Sequence, residues 1–314
     1  MQNTQGFFVA KRKLAYNQRS KQTYKIIKGV LMDRLSLIQK LITILLKDMP
    51  SCNEQASHFG EDYDAQRALL RGLMNMREPK HPLPPEFFKL QDELLQAELA
   101  EKAITNVALL KPAKINPQLR LYKGDITCIK ADAIVNAANS TLLGCFIAGH
   151  NCIDNCIHSA AGLQLRYECK KIMDAQGHEE AAGQAKISNA YNLPCRYVIH
   201  TVGPIVNWQV TPADEMLLKS CYTECLKLAV QYKLNSIVFP CISTGVFHFP
   251  RINASRIAVE TCDSFLKETK AAITVVFNTF LDNDHELYTR LLDPKPEDDK
   301  KPDDLRPFFN PNLF

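Results

Sequence analysis

The feature that most restricts the fold is an alternation, after residue 118, of short apolar segments with longer segments of helical periodicity. The predicted strands are Leu119–Tyr122, Ala133–Val135, Tyr197–Val202, Ser236–Phe239 and Ile273–Phe277, and the predicted helices are Cys152–Gly162, Gln164–Ala175, Ala213–Tyr232, Ile252–Lys267 and His285–Leu292. Strands separated by helices join through crossovers, which favours a mostly parallel sheet covered by helices on both faces. In such α/β units, ligands bind beyond the carboxyl ends of the strands.

The chain before this unit has a helical pattern. Apolar residues at helical spacing predict a helix over residues 32–55, and residues 62–78 and 84–106 predict further helices, with Pro85–Glu86 as a start. We interpret the region as a helical cap packed on the α/β unit. The alternative is that it supplies a wall or lid for the ligand site.

Composition separates the ends of the chain from its centre. Residues 1–31 are basic and lack acids, which predicts a disordered extension, with a targeting arm or an anion-binding arm as alternatives. Residues 293–314 are rich in proline and charge, which is typical of a tail. The predicted organisation is therefore a basic extension over 1–31, a helical N-terminal region over 32–116, an α/β domain over 117–292 and a tail over 293–314.

Several classes of protein are disfavoured by composition. The formal net charge is +4 without a dominant basic block beyond the first residues, so a nucleic-acid partner is not indicated. No apolar run approaches the ~20 residues that span a bilayer, which argues against a membrane protein. The eleven cysteines are an odd number scattered through apolar segments, and no signal-peptide pattern is present, which predicts a reducing, cytoplasmic environment.

The densest group of reactive side chains lies between Gly144 and Gly162. Cys145, His150 and Cys152 supply three candidate zinc ligands from one loop. Catalytic zinc commonly has three protein ligands and an open position, whereas structural zinc normally has four. The sequence therefore favours an open metal site, with a metal-free loop of thiols as the alternative.

Three further residues follow on the predicted helix. Asp154 is placed to accept a proton from a polarised water or hydroxyl. Cys156, four residues after Cys152, is the alternative fourth ligand that would make the zinc structural. His158 is expected to be a hydrogen-bonded packing residue rather than a ligand.

The loops that follow the strands carry the candidate ligand-binding residues. Asp125 is either an acceptor for a ligand amine or a turn cap, and Asn136 and Asn139 can bind sugar hydroxyls through their amides. Phe280 is either a base-stacking residue or, as we expect, part of the core. A loop of small residues before a helix predicts an anion cradle of backbone N–H groups, with a plain tight turn as the alternative. The residues of this loop are Ser243, Thr244, Gly245, Val246 and Phe247.

In combination these segments resemble a macrodomain, the ADP-ribose-binding α/β/α fold, over about residues 118–292. The resemblance rests on GDIT at Gly124–Thr127, IVNAANS at Ile134–Ser140, CIHSAAG at Cys156–Gly162, HTVGP at His200–Pro204 and PCISTGVFHFP at Pro240–Pro250. The stretch from Gly144 to His158 and the helical N-terminal region are similar to the zinc-containing subclass of macrodomain hydrolases. The resemblance therefore implies a three-layer fold with one zinc ion per chain.

The resemblance also implies roles for matching residues. Asp125 would hold the adenine amine with Ile126 beside the ring, and Asn136 and Asn139 would face the distal ribose. The loop from Ser243 to Phe247 would wrap the diphosphate through its backbone N–H groups. Asp154, with Asn139, would act in catalysis, and zinc would be bound by Cys145, His150 and Cys152. His248 departs from the family pattern, in which many members have glycine.

The activity implied by the resemblance is zinc-dependent removal of mono-ADP-ribose from modified protein side chains, a glycosidic or ester bond hydrolysis. The implied partners are ADP-ribose and a mono-ADP-ribosylated protein, often a lipoyl-carrier protein modified by a sirtuin-type transferase. Two alternatives stay open. One is a non-catalytic ADP-ribose-binding reader module with structural zinc, and the other is an O-acetyl-ADP-ribose deacetylase.

Overall fold

A computed structural model describes residues 34–295. The predicted extension over residues 1–31 and residues 296–314 of the predicted tail lie outside this range. The helices are α1 (34–48), α2 (Asn53–Ala56), α3 (Tyr63–Met76), α4 (Pro85–Ala100), α5 (Ile153–Ala161), α6 (Leu163–Gln176), α7 (Pro212–Gln231), α8 (Arg251–Thr269) and α9 (Asp282–Leu292). The strands are β1 (Thr105–Asn106), β2 (Leu119–Lys123), β3 (Ile129–Lys130), β4 (Ala133–Ala138), β5 (Ala185–Asn189), β6 (Tyr197–Val202), β7 (Ser236–Phe239) and β8 (Thr274–Thr279).

The main sheet has six strands in the order β2-β8-β7-β4-β6-β5. All neighbours pair in parallel except β5, which runs antiparallel to β6 at one edge. This confirms the mostly parallel sheet predicted from the alternation of segments. Because β4 pairs with both β6 and β7, the carboxyl end of β4 lies in the middle of the sheet, where bound ligands are expected.

The sequence analysis missed one strand and placed the end of one helix too late. Strand β5 was not predicted, because its AKISN sequence is polar and mostly part-buried, which leaves no strong period of two. The helix predicted over residues 84–106 ends at Ala100. The segment after it instead forms β1, which pairs in parallel with β3.

The apolar core is divided by the sheet, because successive residues of a strand point to opposite faces. Val135 packs in one cluster with residues of α7, α8 and α9, whereas the adjacent Ile134 packs in a second cluster with residues of α5 and α6. The sheet is thus covered on both faces, and α5, the helix that follows the reactive loop, is anchored by the second cluster.

The helices before the sheet form a third apolar cluster of their own, which includes Leu41, Leu70 and Phe87 and extends to Leu163 at the start of α6. Polar contacts also join them to the α/β unit. The backbone N–H of Leu163 donates to Gln91 Oε1 at 2.9 Å, and Asn192 Nδ2 donates to Asp92 Oδ1 at 2.7 Å. In this structure the helical region therefore packs against α6 and the loop between β5 and β6, and α3 also contacts α5. Within residues 34–295, no helix is long and apolar enough to cross a membrane.

Candidate active site

The reactive groups meet where β4 ends and α5 begins. Residues 144–152, which we call the metal loop, belong to the connection between β4 and α5 and end at Cys152, the N-cap of α5. Gly144 has a φ of 82°, and a Cβ at this position would lie 2.8 Å from the ring of His158. The loop thus starts at a position where both the backbone angle and the space require glycine.

The three predicted zinc ligands lie together. The ligand atoms of Cys145, His150 and Cys152 are all within 4.8 Å of one another, with Cys145 Sγ 3.4 Å from His150 Nδ1. Ligands about 2.0–2.3 Å from a tetrahedral zinc ion are roughly 3.5–3.8 Å apart, so the cluster has the size of a zinc site. Two thiols and one imidazole are also the donor set that zinc prefers, so the residues present fit this metal.

Cys152 is in addition the N-cap of α5, where its Sγ accepts a hydrogen bond from the backbone N–H of Asn155 at 3.4 Å. Burial raises the pKa of Cys152 to about 12, the N–H of Asn155 opposes the rise, and the charges of Cys145 and Asp154 add to it. A bound cation would reverse this balance, because metal coordination deprotonates a thiol.

Cys156 is not part of this cluster. Its side chain lines an open crevice between the helical region and the α/β unit, together with Asp125 from the end of β2 and Arg71 from α3. The arrangement keeps Cys156 apart from the three candidate ligands. An open three-ligand site fits this geometry better than a closed four-ligand site.

Asp154 is buried between two amides. Asn136 Nδ2 donates to its Oδ1 at 2.7 Å, and Asn139 Nδ2 donates to its Oδ2 at 3.3 Å. Burial raises the pKa of Asp154 to about 6, and the hydrogen bond from Asn136 opposes this rise. The carboxyl group is therefore mostly ionised at neutral pH but holds its proton more strongly than an exposed aspartate.

The two asparagines differ in what they leave free. Asn139 Nδ2 also donates to the carbonyl oxygen of Gly144, and its Oδ1 accepts from the backbone and hydroxyl of Thr141, so both the nitrogen and the oxygen of its amide already have partners. Asn136 Oδ1, in contrast, is buried and has no hydrogen-bond partner among the described residues. A buried acceptor without a partner carries a desolvation cost, which a ligand hydroxyl would remove.

Sequence reasoning missed His200, which pairs with Asn136 across β4 and β6. Its Nδ1 lies 3.2 Å from Asn136 Nδ2, and its Nε2 lies 2.9 Å from Ser188 Oγ. Because Asn136 donates with this nitrogen, His200 Nδ1 is the unprotonated acceptor of a neutral ring. Burial lowers the pKa of His200 to about 3, which keeps the ring neutral. The available signal was a lone histidine inside the apolar strand segment YVIHTV.

The expectation that His158 is a hydrogen-bonded packing residue is half wrong. The ring is buried as expected, but neither of its nitrogens has a hydrogen-bond partner among the described residues. Nε2 lies 3.6 Å from Asp154 Oδ1, which is too far for a hydrogen bond. Burial lowers the pKa of His158 well below its usual value, with smaller contributions from Arg166 and His200.

The residues predicted to lie near adenine differ in how accessible they are to a ligand. Asp125 caps the 3₁₀ turn Ile126–Cys128 by accepting from the N–H of Thr127 at 2.9 Å, which confirms the capping interpretation. The residue is exposed, and a carboxylate can accept further hydrogen bonds, so the cap leaves capacity for a ligand amine. Ile126 is 4% exposed and packs in the core, so little of its surface is open to a ring. Phe280 is 74% exposed, so the expectation of core packing is wrong.

The predicted anion cradle is a series of turns between β7 and α8. Ser243 has a φ of 63°, and its buried Oγ has no partner among the described residues. A Cβ on Gly203 would overlap this Oγ, so glycine at 203 lets the loop approach the end of β6. Thr244 Oγ1 donates to the carbonyl oxygen of Cys241, whereas Gly245 and Val246 are exposed and Phe247 is half-buried.

Comparison with known proteins gives consistent matches. The Macro domain family profile matches residues 135–258. A protein-ADP-ribose hydrolase of Treponema medium is 48% identical over 254 residues, which cover 80% of this chain and 96% of that protein. A protein-ADP-ribose hydrolase of Staphylococcus aureus (strain MSSA476) is 50% identical over 221 residues, which cover 70% and 82% of the two chains. The alignments to these relatives therefore cover many more residues of this chain than the family profile does.

Solved structures match in the same way. The Trypanosoma brucei macrodomain in complex with ADP-ribose is 30% identical, with a TM-score of 0.56, and the match covers 68% of this chain and 92% of that chain. The six-stranded mixed sheet with helices on both faces is therefore the fold of that structure.

Proposed function

The chain belongs to the macrodomain family, and on that premise we propose that it is a zinc-dependent hydrolase that releases mono-ADP-ribose from modified protein side chains. The observation that carries the proposal is the position of Asp154. This carboxylate is held by Asn136 and Asn139 at the start of α5, two residues after Cys152 and directly beside the metal loop. Relatives named as protein-ADP-ribose hydrolases support the same reaction class.

The strand-end groups suit the parts of ADP-ribose. Asp125 would accept a hydrogen bond from the adenine amine, and the loop from Ser243 to Phe247 would surround the diphosphate with backbone N–H groups. Asn136 Oδ1, which is buried and has no partner within residues 34–295, would accept a hydrogen bond from a hydroxyl of the distal ribose. Its orientation is set by Asp154 and His200, which both face its Nδ2.

Asp154 would act as the general base. A carboxylate has about four acceptor positions, so the two amide hydrogen bonds leave capacity to take a proton from an attacking water. The same amides prevent the carboxylate from rotating, which fixes the direction of that water. Zinc held by Cys145, His150 and Cys152 would supply Lewis-acid polarisation and charge stabilisation beside the distal ribose.

The first test is release of ADP-ribose from a mono-ADP-ribosylated protein by the zinc-loaded chain. A lipoyl-carrier protein modified by a sirtuin-type transferase is the first substrate to test, because the metal loop resembles that subclass. We expect Asp154→Ala, Cys145→Ala and His150→Ala each to reduce the rate by about 10²-fold or more. Absence of release by the zinc-loaded protein, or full release by Cys145→Ala and His150→Ala, would contradict the proposal.

Metal content is measured separately on the purified protein. We expect one zinc per chain, lost in Cys152→Ala and kept in the matched control Cys156→Ala, since Cys156 lies outside the cluster. Loss of zinc in Cys156→Ala together with tight ADP-ribose binding but no turnover would favour the reader module. Turnover of O-acetyl-ADP-ribose alone would favour the deacetylase.

A further inference from the structure

The metal loop is held by side chains that come from outside it. Asn75 Oδ1, on α3, accepts from the backbone N–H of Gly149 at 3.0 Å. Arg71 Nη2, one turn earlier on the same helix, donates to the carbonyl oxygen of His150 at 2.8 Å. Both contacts fall on the part of the loop that carries His150, and both come from the helical N-terminal region rather than from the α/β unit.

The other end of the loop is held from α5. Asn155 Nδ2 donates to the carbonyl oxygens of Ile147 at 3.0 Å and of Cys145 at 3.3 Å. The two supports are joined, because Arg71 Nη2 also lies 3.3 Å from Asn155 Oδ1. The backbone of both Cys145 and His150 is thus connected to one network of hydrogen bonds.

A second link ties α3 to α5 directly. Asn75 Nδ2 donates to Ser159 Oγ at 2.9 Å, and Ser159 Oγ lies 3.1 Å from Asn155 Oδ1. Asn75 is 2% exposed and Asn155 is 0% exposed, so water has little access to replace a lost partner. A buried amide that loses its partner leaves a donor or acceptor unpaired, which makes these contacts costly to break.

The loop needs this support because its own structure is sparse. Within it, the N–H of His150 donates to the carbonyl oxygen of Ile147 at 3.2 Å, and two glycines, Gly144 and Gly149, have positive φ values. A chain of this kind has several accessible conformations. Three ligand atoms must be held to within about half an ångström for tight metal binding, so the entropy of the loop weakens an unsupported site.

We propose that α3 is the positioning element of the metal loop and that Arg71 and Asn75 are positioning residues for metal binding through the backbone of Gly149 and His150. The helical N-terminal region then does more than cover the α/β unit, because it also positions the metal-binding residues of the active site. The inference rests on the proposed function only in that the loop binds zinc; it is independent of whether ADP-ribose is released.

The test is the zinc affinity of the full chain, measured by competition with a chromogenic chelator, with circular dichroism to show that each variant is folded. We expect Arg71→Ala and Asn75→Ala each to weaken zinc binding about tenfold, the lower end of the effect of groups that orient metal ligands. Arg71→Lys should recover only part of the loss, because the flexible ammonium group is held less rigidly than the planar guanidinium, whose Nη2 contacts both acceptors.

Arg67→Ala is the matched control. Arg67 lies one turn before Arg71 on α3 and pairs with Glu98 at 2.6 Å. The zinc affinity of Arg67→Ala should stay within about twofold of that of the unmodified chain, because the ion pair of Arg67 is directed to α4 and not to the metal loop. Equal zinc affinities for Arg67→Ala, Arg71→Ala and Asn75→Ala would overturn the inference.

The two proposals fail in different ways. If the unmodified chain binds zinc and releases ADP-ribose while Arg71→Ala and Asn75→Ala keep full zinc affinity, the positioning role is wrong and the hydrolase stands. If zinc affinity falls in both variants but the unmodified chain releases no ADP-ribose, the hydrolase is wrong and the positioning role stands. An unmodified chain that binds no zinc overturns both.

Discussion

At the scale of single residues, two positions of the site require glycine, whereas a third has a conformation that favours glycine but carries a histidine. Gly144 and Gly203 sit where a side chain would overlap His158 and Ser243, respectively. His248 has a φ of 56°, a left-handed conformation that glycine adopts without strain and that costs other residues roughly 1–2 kcal/mol. This is the position at which many macrodomains, by resemblance, have glycine, and the strain gives a physical reason for that preference.

Replacing His248 by glycine should therefore stabilise the fold. The relief of strain exceeds the entropy that glycine adds to the unfolded chain, so we expect the free energy of unfolding to rise by about 0.5–1 kcal/mol. Urea denaturation with a constant slope measures the change. His248→Ala is the control, because alanine removes the imidazole but keeps the strain; an equal gain for both substitutions would assign the effect to the side chain instead.

At the scale of helices and strands, α6 holds the end of α3 in place. The guanidinium of Arg166 is buried, and its Nη1 donates to the carbonyl oxygens of Met74, Asn75 and Arg77, while its Nε donates to that of Leu143. It therefore satisfies carbonyls at the end of α3 that have no partner within the helix, and it does so with a positive charge, which the helix dipole favours. Burial lowers the pKa of Arg166 to about 10, so it stays charged at neutral pH.

Replacing Arg166 by methionine should loosen the docking of α3. Several buried carbonyls would lose their donor, so we expect the free energy of unfolding to fall by about 3 kcal/mol or more. Thermal or urea denaturation measures the loss. Lys170→Met, one turn later on α6, is the control, since the exposed pair of Lys170 and Asp174 contributes at most about 1 kcal/mol. Similar losses for both variants would show that Arg166 has no special role.

For the whole molecule, buried titratable groups make stability depend on pH. His158 and His200 are buried and have lowered pKa values, so in mild acid the unfolded chain binds protons that the folded chain does not. Their contribution to stability is complete above a pH of about 6.5 and is lost as the pH falls below it. Asp154, with its pKa raised by burial to about 6, acts in the opposite direction below that pH.

The contribution of His200 is measurable as a slope. Between pH 6.5 and 5 the folded ring, with its pKa of about 3, stays neutral while the unfolded ring becomes protonated, so it adds on average about 1.1 kcal/mol per pH unit to the decline of the free energy of unfolding as the pH is lowered. In His200→Gln the decline should be shallower by that amount, whatever the change in absolute stability. Urea denaturation of the metal-free protein at several pH values measures it, with the exposed His178→Gln as control. Identical slopes for His200→Gln and the unmodified chain would contradict the prediction.

Local patterns in the sequence determined five of the six strands of the main sheet and the composition of the metal loop. The predicted strand Tyr197–Val202 and the predicted helix start at Pro85 match the structure, because each depends on residues close to one another in the chain. Cys145, His150 and Cys152 lie together for the same reason, since a short loop keeps its side chains close.

Tertiary structure alone decided which distant groups face these residues. His200 meets Asn136 only through the register of β4 and β6, and Arg71 meets His150 only through the docking of α3 on α5. Strand β5 and the exposure of Phe280 likewise depend on which surfaces remain uncovered after packing. Local periodicity specifies the elements, but register and docking arise from the packing of surfaces far apart in sequence. The sequence by itself thus determined the element types and the candidate ligands, and the tertiary structure decided what holds them in place.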